Sequence, residues 1–137
     1  NNSYINLGQY ILPGAPGDKR LVYNFHQENS YFPKYKETIH FHFPLFHDAT
    51  LESGAMSALS KTHKLGTIKR NKVEKQKKGF LSIIPKNIDQ LVKNYEHDVF
   101  NLKISDLLIF SGNLIHKSNT NFSKKCRIIG IHRFAKI

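Results

Sequence analysis

Leu21-Val22-Tyr23-Asn24-Phe25-His26-Gln27-Glu28 is the stretch on which the reading of this chain turns. Its aromatic and branched residues favour an extended strand. Side chains i and i+2 of a strand share a face, so His26 and Glu28 can reach one ion while Gln27 points to the other side. His116 is the candidate third ligand, 88 residues beyond Glu28, where only tertiary folding can deliver it. Two imidazoles and one carboxylate on a single face of Fe(II) leave three coordination positions open for cosubstrate and oxygen. Arg127, eleven residues after His116, stands where it could hold a carboxylate-bearing cosubstrate.

The neighbourhood of His116 supports that placement. The apolar run Leu107-Leu108-Ile109-Phe110 is followed by a Ser111-Gly112-Asn113 turn. A strand-like run, Cys126-Arg127-Ile128-Ile129-Gly130-Ile131-His132, comes after the polar stretch Ser118-Asn119-Thr120-Asn121. Adjacent antiparallel strands joined by that loop are expected to put His116 and Arg127 in one cavity. The chain has eight histidines, so an H-x-E pair does not decide the matter alone. His40 and His42 also alternate, and His47-Asp48 is another potential ligand pair; we read all of these as surface or cavity-wall groups.

Further strands are expected over Tyr4 to Leu12, closed by the Pro13-Gly14-Ala15-Pro16-Gly17 turn, and over Thr38 to His47. In the latter, Ile39, Phe41, Phe43 and Leu45 alternate with His40, His42 and Pro44, a pattern that predicts the apolar set in the core. Glu52 to Leu65 reads as turn and loop. Ile88, Leu91, Val92 and Tyr95 recur at helical spacing behind Asn87 as N-cap, a stripe for core packing. Three strands, around Val99–Lys103, Leu107–Phe110 and Arg127–Phe134, complete the chain. Many short strands with few short helices predict a mainly β barrel or sandwich.

Five segments in order resemble the phytanoyl-CoA dioxygenase family. His26-Gln27-Glu28-Asn29-Ser30-Tyr31 is similar to its H-Q-D/E-x-x-Y segment, and Phe43 to Met56 to its W-x-x-L-x-D-x-x-x-x-N-G-x-L stretch. Ser60-Lys61-Thr62-His63-Lys64 resembles P-G-S-H-K, and Ser105 to Phe110 resembles G-D-x-x-x-F. From His116 to Arg127 the pattern H-x-S-x-x-N-x-S-x-x-x-R is matched throughout. The resemblance implies a double-stranded β-helix, a cupin-like jelly roll, that binds Fe(II) and 2-oxoglutarate and uses O2. It makes His26, Glu28 and His116 the metal ligands and Arg127 the partner of the distal carboxylate of 2-oxoglutarate, a task suited to a planar guanidinium. It also makes Gln27, Ser118 and Phe43 candidate cosubstrate contacts. The implied activity is a dioxygenase that hydroxylates a small or carrier-linked organic substrate; the alternative is a jelly roll that keeps the metal cage as a binding protein without catalysis. Glu28 replaces the commoner aspartate but keeps a hard oxygen ligand, and Ser105, Ser53, Lys61 and Phe43 depart from glycine, asparagine, glycine and tryptophan. Halogenating relatives have a small residue at the carboxylate position, so Glu28 argues for ordinary oxidation.

At 137 residues and 15.8 kDa the chain is read as one domain, residues 1–137. It is short for that family and starts at Asn1, which we read as a fragment lacking the family's N-terminal part. The lone Cys126 excludes an internal disulfide and fits a reducing cytoplasm, with its side chain expected as small core filler. No stretch of about eighteen apolar residues is present to span a membrane. The net charge of +11 is concentrated in Lys69 to Lys78. That run has no interleaved aromatic residues for base stacking, so it reads as a solvated loop or lid rather than a nucleic-acid surface. The charge suits attraction of an anionic small-molecule substrate.

Overall fold

The structure, a computed structural model, describes residues 3–75 and 81–137. Among the described residues, nine strands and one α-helix follow in the order β1 (Tyr4–Gly14), β2 (Thr38–Pro44), β3 (Ser57–Leu59), β4 (Arg70–Lys75), β5 (Leu81–Pro85), α1 (Ile88–Asn94), β6 (His97–Val99), β7 (Leu108–Ser111), β8 (His116–Lys117) and β9 (Arg127–Lys136). A four-stranded sheet has the order β1-β9-β2-β7, a three-stranded sheet the order β6-β3-β8, and β4 pairs with β5 as a separate hairpin. Every pairing is antiparallel. The large sheet and the small sheet line a common cavity. This is the jelly-roll architecture expected of the mainly β sequence.

Strand parity in the large sheet decides which side chains meet the cavity. Along β9 the alternate residues Arg127, Ile129, Ile131 and Arg133 line it, and Tyr10 and Leu12 of β1 lie beside Ile131 and Ile129 in register. In β2 the buried residues are Thr38, His40, His42 and Pro44, while Ile39, Phe41 and Phe43 are half-buried. The expected inward face is thus reversed. Phe41 and Phe43 pack on the outer face against Phe134 and His132, while on the inner face His42 lines a polar-ended cavity and His40 is buried against Thr38 and Phe110. The packed core is correspondingly small: Ala49, Ala55, Ile129 and Ile131 form one cluster, Ala58, Phe110 and Leu114 another.

Several expected elements take another form. Leu21 to Glu28 is not a strand; it makes a single bridge at His26, because its partner β8 is only two residues long. Glu52 to Leu65 contains β3, whose three residues are all buried. The helix covers Ile88–Asn94, and its stripe Ile88, Leu91, Val92 and Tyr95 is only half-buried. Asn87 precedes it in a left-handed conformation, φ 59°, and makes no side-chain cap. The strand expected at Val99–Lys103 lies earlier, at His97–Val99. Cys126 is exposed, at the threshold of β9, and is not core filler. Of the Lys-rich run, Arg70–Lys75 is strand β4 rather than loop; residues 76–78 lie outside the described residues.

Candidate metal centre

His26 and His116 face each other as an antiparallel pair that exchanges both backbone hydrogen bonds, His26 N–H to His116 O at 2.9 Å and His116 N–H to His26 O at 3.1 Å. That pairing sets the two residues directly opposite each other, with their side chains on one side of the ladder, and the ring centroids are 4.3 Å apart. Gln27 keeps extended dihedrals (φ −117°, ψ 131°) before a 3₁₀ turn begins at Glu28. One extended residue is enough to return Glu28 to the side of His26. His26, Glu28 and His116 are all buried, with one potential ligand atom from each within 4.8 Å of the others. Glu28 Oε1 is 3.4 Å from His26 Nε2 and 3.7 Å from His116 Nε2.

The proton positions follow from the outer ring nitrogens. Nδ1 of His26 lies 2.7 Å from Asn24 O, and Nδ1 of His116 lies 2.9 Å from Leu114 O. A carbonyl only accepts, so each Nδ1 carries hydrogen and each neutral ring turns its Nε2 lone pair inward. Burial and the adjacent His26 push the His116 imidazole down, so it stays neutral. Burial alone would raise the Glu28 carboxyl. The contacts of Glu28 with the His116 and His26 rings and the charge of Arg133 outweigh it and hold Glu28 well below the usual carboxylate range. Two lone pairs and a carboxylate therefore converge on one position that calls for a cation. A 2-His-1-carboxylate set of this kind suits Fe(II).

The same cavity, about 340 Å³ in volume, contains Arg127 and Ser118. Arg127 is 6% exposed. One of its terminal nitrogens donates to Gly54 O, Nε is buried without a partner, and among the described residues it has no acidic partner. Burial works against its charge and lowers its pKa. A buried cation of this sort is stable only with an anion at hand, and the carboxylate of a cosubstrate supplies one. His116 and Arg127 sit on strands of different sheets, not on adjacent strands as the loop between them suggested; they meet across the cavity.

The sequence profile described as "Phytanoyl-CoA dioxygenase (PhyH)" matches residues 8–129. The chain belongs to this family. No curated protein sequence matches it significantly. Among solved structures it is similar to EvdO2 from Micromonospora carbonacea var. aurantiaca, at a TM-score of 0.74 and 15% identity, with 99% of this chain and 53% of that one covered. It is similar to EctD from S. alaskensis, crystallised with 2-oxoglutarate and 5-hydroxyectoine, at a TM-score of 0.72 and 12% identity over 96% of this chain and 44% of that one. It also matches the epimerase SnoN in complex with Fe3+, alpha ketoglutarate and nogalamycin RO, at a TM-score of 0.71 and 10% identity over 96% and 50%. These likenesses establish the fold, and the chain spans about a quarter to about half the length of the structures it matches. The cofactor set of the phytanoyl-CoA dioxygenase family, Fe(II), 2-oxoglutarate and O2, fits the converging donors and the unpaired Arg127.

The remaining family-derived contacts divide. Ser118, two residues after His116, lines the cavity. Gln27 does not: fully buried, its amide donates to Gly66 O at 2.8 Å and Asn113 O at 2.6 Å, and its oxygen accepts from Ile68 N–H at 2.8 Å. Those bonds tie two distant loops beneath the metal position. Gln27→Ala is therefore expected to cost about 2–3 kcal/mol in unfolding, from the polar groups left unpaired, with little change in the 2-oxoglutarate requirement. Urea melts and a cosubstrate titration check both halves. Phe43 also stands apart from the cavity, on the outer face of β2 over Gly130.

Among the other histidines, His47 and Asp48 are exposed, whereas His40 and His42 are buried. His42 lines the cavity with its Nε2 unpartnered among the described residues. His40 contacts Thr38 Oγ1 at 2.9 Å. Arg133 and Tyr10 are site residues that sequence reasoning missed. The available signal was parity: Arg133 is six residues from Arg127 on one strand, hence on the same face.

Burial pushes His40 down to about 4 and His42 well below its ordinary value. The unfolded chain protonates such rings near pH 6.5, and the folded chain resists until about pH 4 at His40. Stability is therefore full above about pH 6.5 and falls on acidification through that window, by up to about 1.4 kcal/mol per pH unit for each ring. Glu28, depressed when folded, adds a loss in the same direction at lower pH. A metal-free sample melted at about pH 7 and about pH 5 is expected to show a lower Tm in the acid sample.

Proposed function

We propose that the chain is the catalytic jelly roll of an Fe(II)- and 2-oxoglutarate-dependent dioxygenase that hydroxylates a small or carrier-linked organic substrate. The observation that carries this reading is the buried His-Glu-His cluster in one cavity with a buried arginine that has no counter-ion among the described residues. Bound Fe(II), with 2-oxoglutarate and O2, supplies the oxidising chemistry, by which a C–H bond becomes C–OH while 2-oxoglutarate becomes succinate and CO2.

The chain supplies the rest. His26, Glu28 and His116 hold the ion on one side, with each imidazole oriented by a backbone carbonyl behind it. Arg127 fixes the far carboxylate of the cosubstrate and so sets the direction from which its keto acid end approaches; Ser118 is a polar contact along that path. Leu12, Met56, Phe100, Leu102, Ile129 and Ile131 wall the cavity and keep water from it. The substrate is a small molecule, consistent with the cavity volume of about 340 Å³. The lone cysteine is consistent with a reducing, cytoplasmic setting, and no helix among the described residues is long and apolar enough to cross a membrane.

The test is an anaerobic titration with Fe(II) and 2-oxoglutarate, read by the weak visible charge-transfer band of the chelate, followed by succinate release on admitting O2. Arg127→Gln is expected to raise the cosubstrate concentration needed by about a hundredfold, the scale for removing one partner of a buried charge pair. A band and metal binding without any succinate would instead support the binding-protein alternative.

A further inference from the structure

Arg133 lies on the same face of β9 as Arg127, six residues along, so the two guanidinium-bearing positions are roughly 20 Å apart along the strand. A five-carbon diacid held by Arg127 does not span to both. Arg133 Nη2 is 3.1 Å from Glu28 Oε2, the carboxylate oxygen turned away from the shorter histidine contacts. The same nitrogen donates to Tyr10 Oη, and the guanidinium lies 4.5 Å from the Tyr10 ring centre and 5.4 Å from that of Phe32. Its Nε is buried with no partner among the described residues, yet the side chain as a whole is 20% exposed and lines the cavity. Tyr10, Tyr23 and Tyr31 line the same cavity.

Charge balance makes this arginine informative. Glu28 is the one carboxylate among the described cavity residues, and Arg127 and Arg133 are the two guanidiniums. With Fe(II) and dianionic 2-oxoglutarate in place, the ion and the arginines bring four positive charges against three negative ones. One positive charge remains. The cosubstrate answers Arg127, so the excess falls at Arg133, next to the metal position.

We propose that Arg133, braced by Glu28 and Tyr10, is the anion-reading group for the primary substrate, which is a small organic carboxylate whose body packs on the tyrosine rings. Arg133 has five donors in a planar fork and spends only part of them on Glu28 and Tyr10. The donors not spent there are suited to a carboxylate on the cavity side, and the link of Arg133 to Glu28 would hold that carboxylate at a set position relative to the ion. This inference rests on the Fe(II)/2-oxoglutarate reading above.

The test uses benzoate and benzamide as matched probes, which differ in charge but share an aromatic body. Calorimetry on protein loaded with redox-silent Mn(II) and 2-oxoglutarate is expected to show benzoate binding at least about tenfold tighter than benzamide, the scale of one charge-assisted contact. Arg133→Gln removes that preference, and Arg133→Lys retains part of it by keeping the charge without the fork. Equal affinities in the wild type, or a preference that survives in a folded Arg133→Gln, overturn the inference. Failure of Mn(II) to bind overturns the metal reading instead. The anion site is then decided in metal-free Glu28→Gln/Arg127→Gln, where Arg133 is left as the cavity guanidinium with no charged neighbour to neutralise it. Benzoate preference there, lost on adding Arg133→Gln, supports the site; its absence refutes it.

Discussion

His116→Ala is expected to weaken Fe(II) binding by more than about a hundredfold, beyond the loss seen when only a supporting group behind a ligand is removed. The remaining donors, His26 and Glu28, are separated by one residue in the sequence and cannot enclose an ion from one side alone. The charge-transfer band with 2-oxoglutarate should disappear, together with succinate formation. The fold should survive, because the His26–His116 bridge is made by backbone N–H and C=O groups that alanine retains. Mn(II) titration followed by electron paramagnetic resonance measures the metal loss, and circular dichroism checks the fold. Binding within a few-fold of wild type would mean that His116 is not a ligand. His42→Ala is the matched control, as another buried cavity histidine that lies outside the His-Glu-His cluster.

Gly54→Ala is expected to cost about 2–4 kcal/mol, the sum of a left-handed backbone penalty and an overpacking penalty. Gly54 has φ +83°, and a Cβ there would lie 2.6 Å from the backbone oxygen of Asn119 and 3.1 Å from the backbone nitrogen of Asn121. Neither atom can move without shifting the chain that leads into β9. The consequence reaches the site, because Gly54 O is the acceptor that anchors Arg127. A raised 2-oxoglutarate requirement should therefore accompany the loss of stability. Gly17→Ala separates the two penalties: φ is +69° there and a Cβ meets open space, so only the backbone cost of about 1 kcal/mol is expected. Urea unfolding of both variants, with a cosubstrate titration of the folded fraction, distinguishes them. Equal losses at the two positions would show that the Asn119 contact is unimportant.

The His26, Glu28 and His116 cluster was legible because metal chemistry restricts candidate ligands to few residue types and the local chain restricts their spacing. His26 and Glu28 share a side even though the strand assumed for them is absent, since the geometry needed only Gln27 to be extended. The inward face of β2 was misread for a physical reason. Alternation of apolar and polar residues points the apolar set inward only where the interior is apolar, and here His42 faces a cavity with charged ends while His40 is buried against Thr38 and Phe110. Gln27 was misread for a different one. Its partners at Gly66, Ile68 and Asn113 are 39 to 86 residues away, and nothing local marks them.

The sequence by itself determined the family, the mainly β class and the residues able to bind an ion and a carboxylate, because those follow from residue type and short-range spacing. Tertiary structure alone decided that His116 approaches His26 through a two-residue bridge, that Arg127 is buried without a counter-ion among the described residues, and that Arg133 pairs with the Glu28 carboxylate. These depend on contacts between segments far apart in the chain, whose geometry is set only when the two sheets close on one cavity.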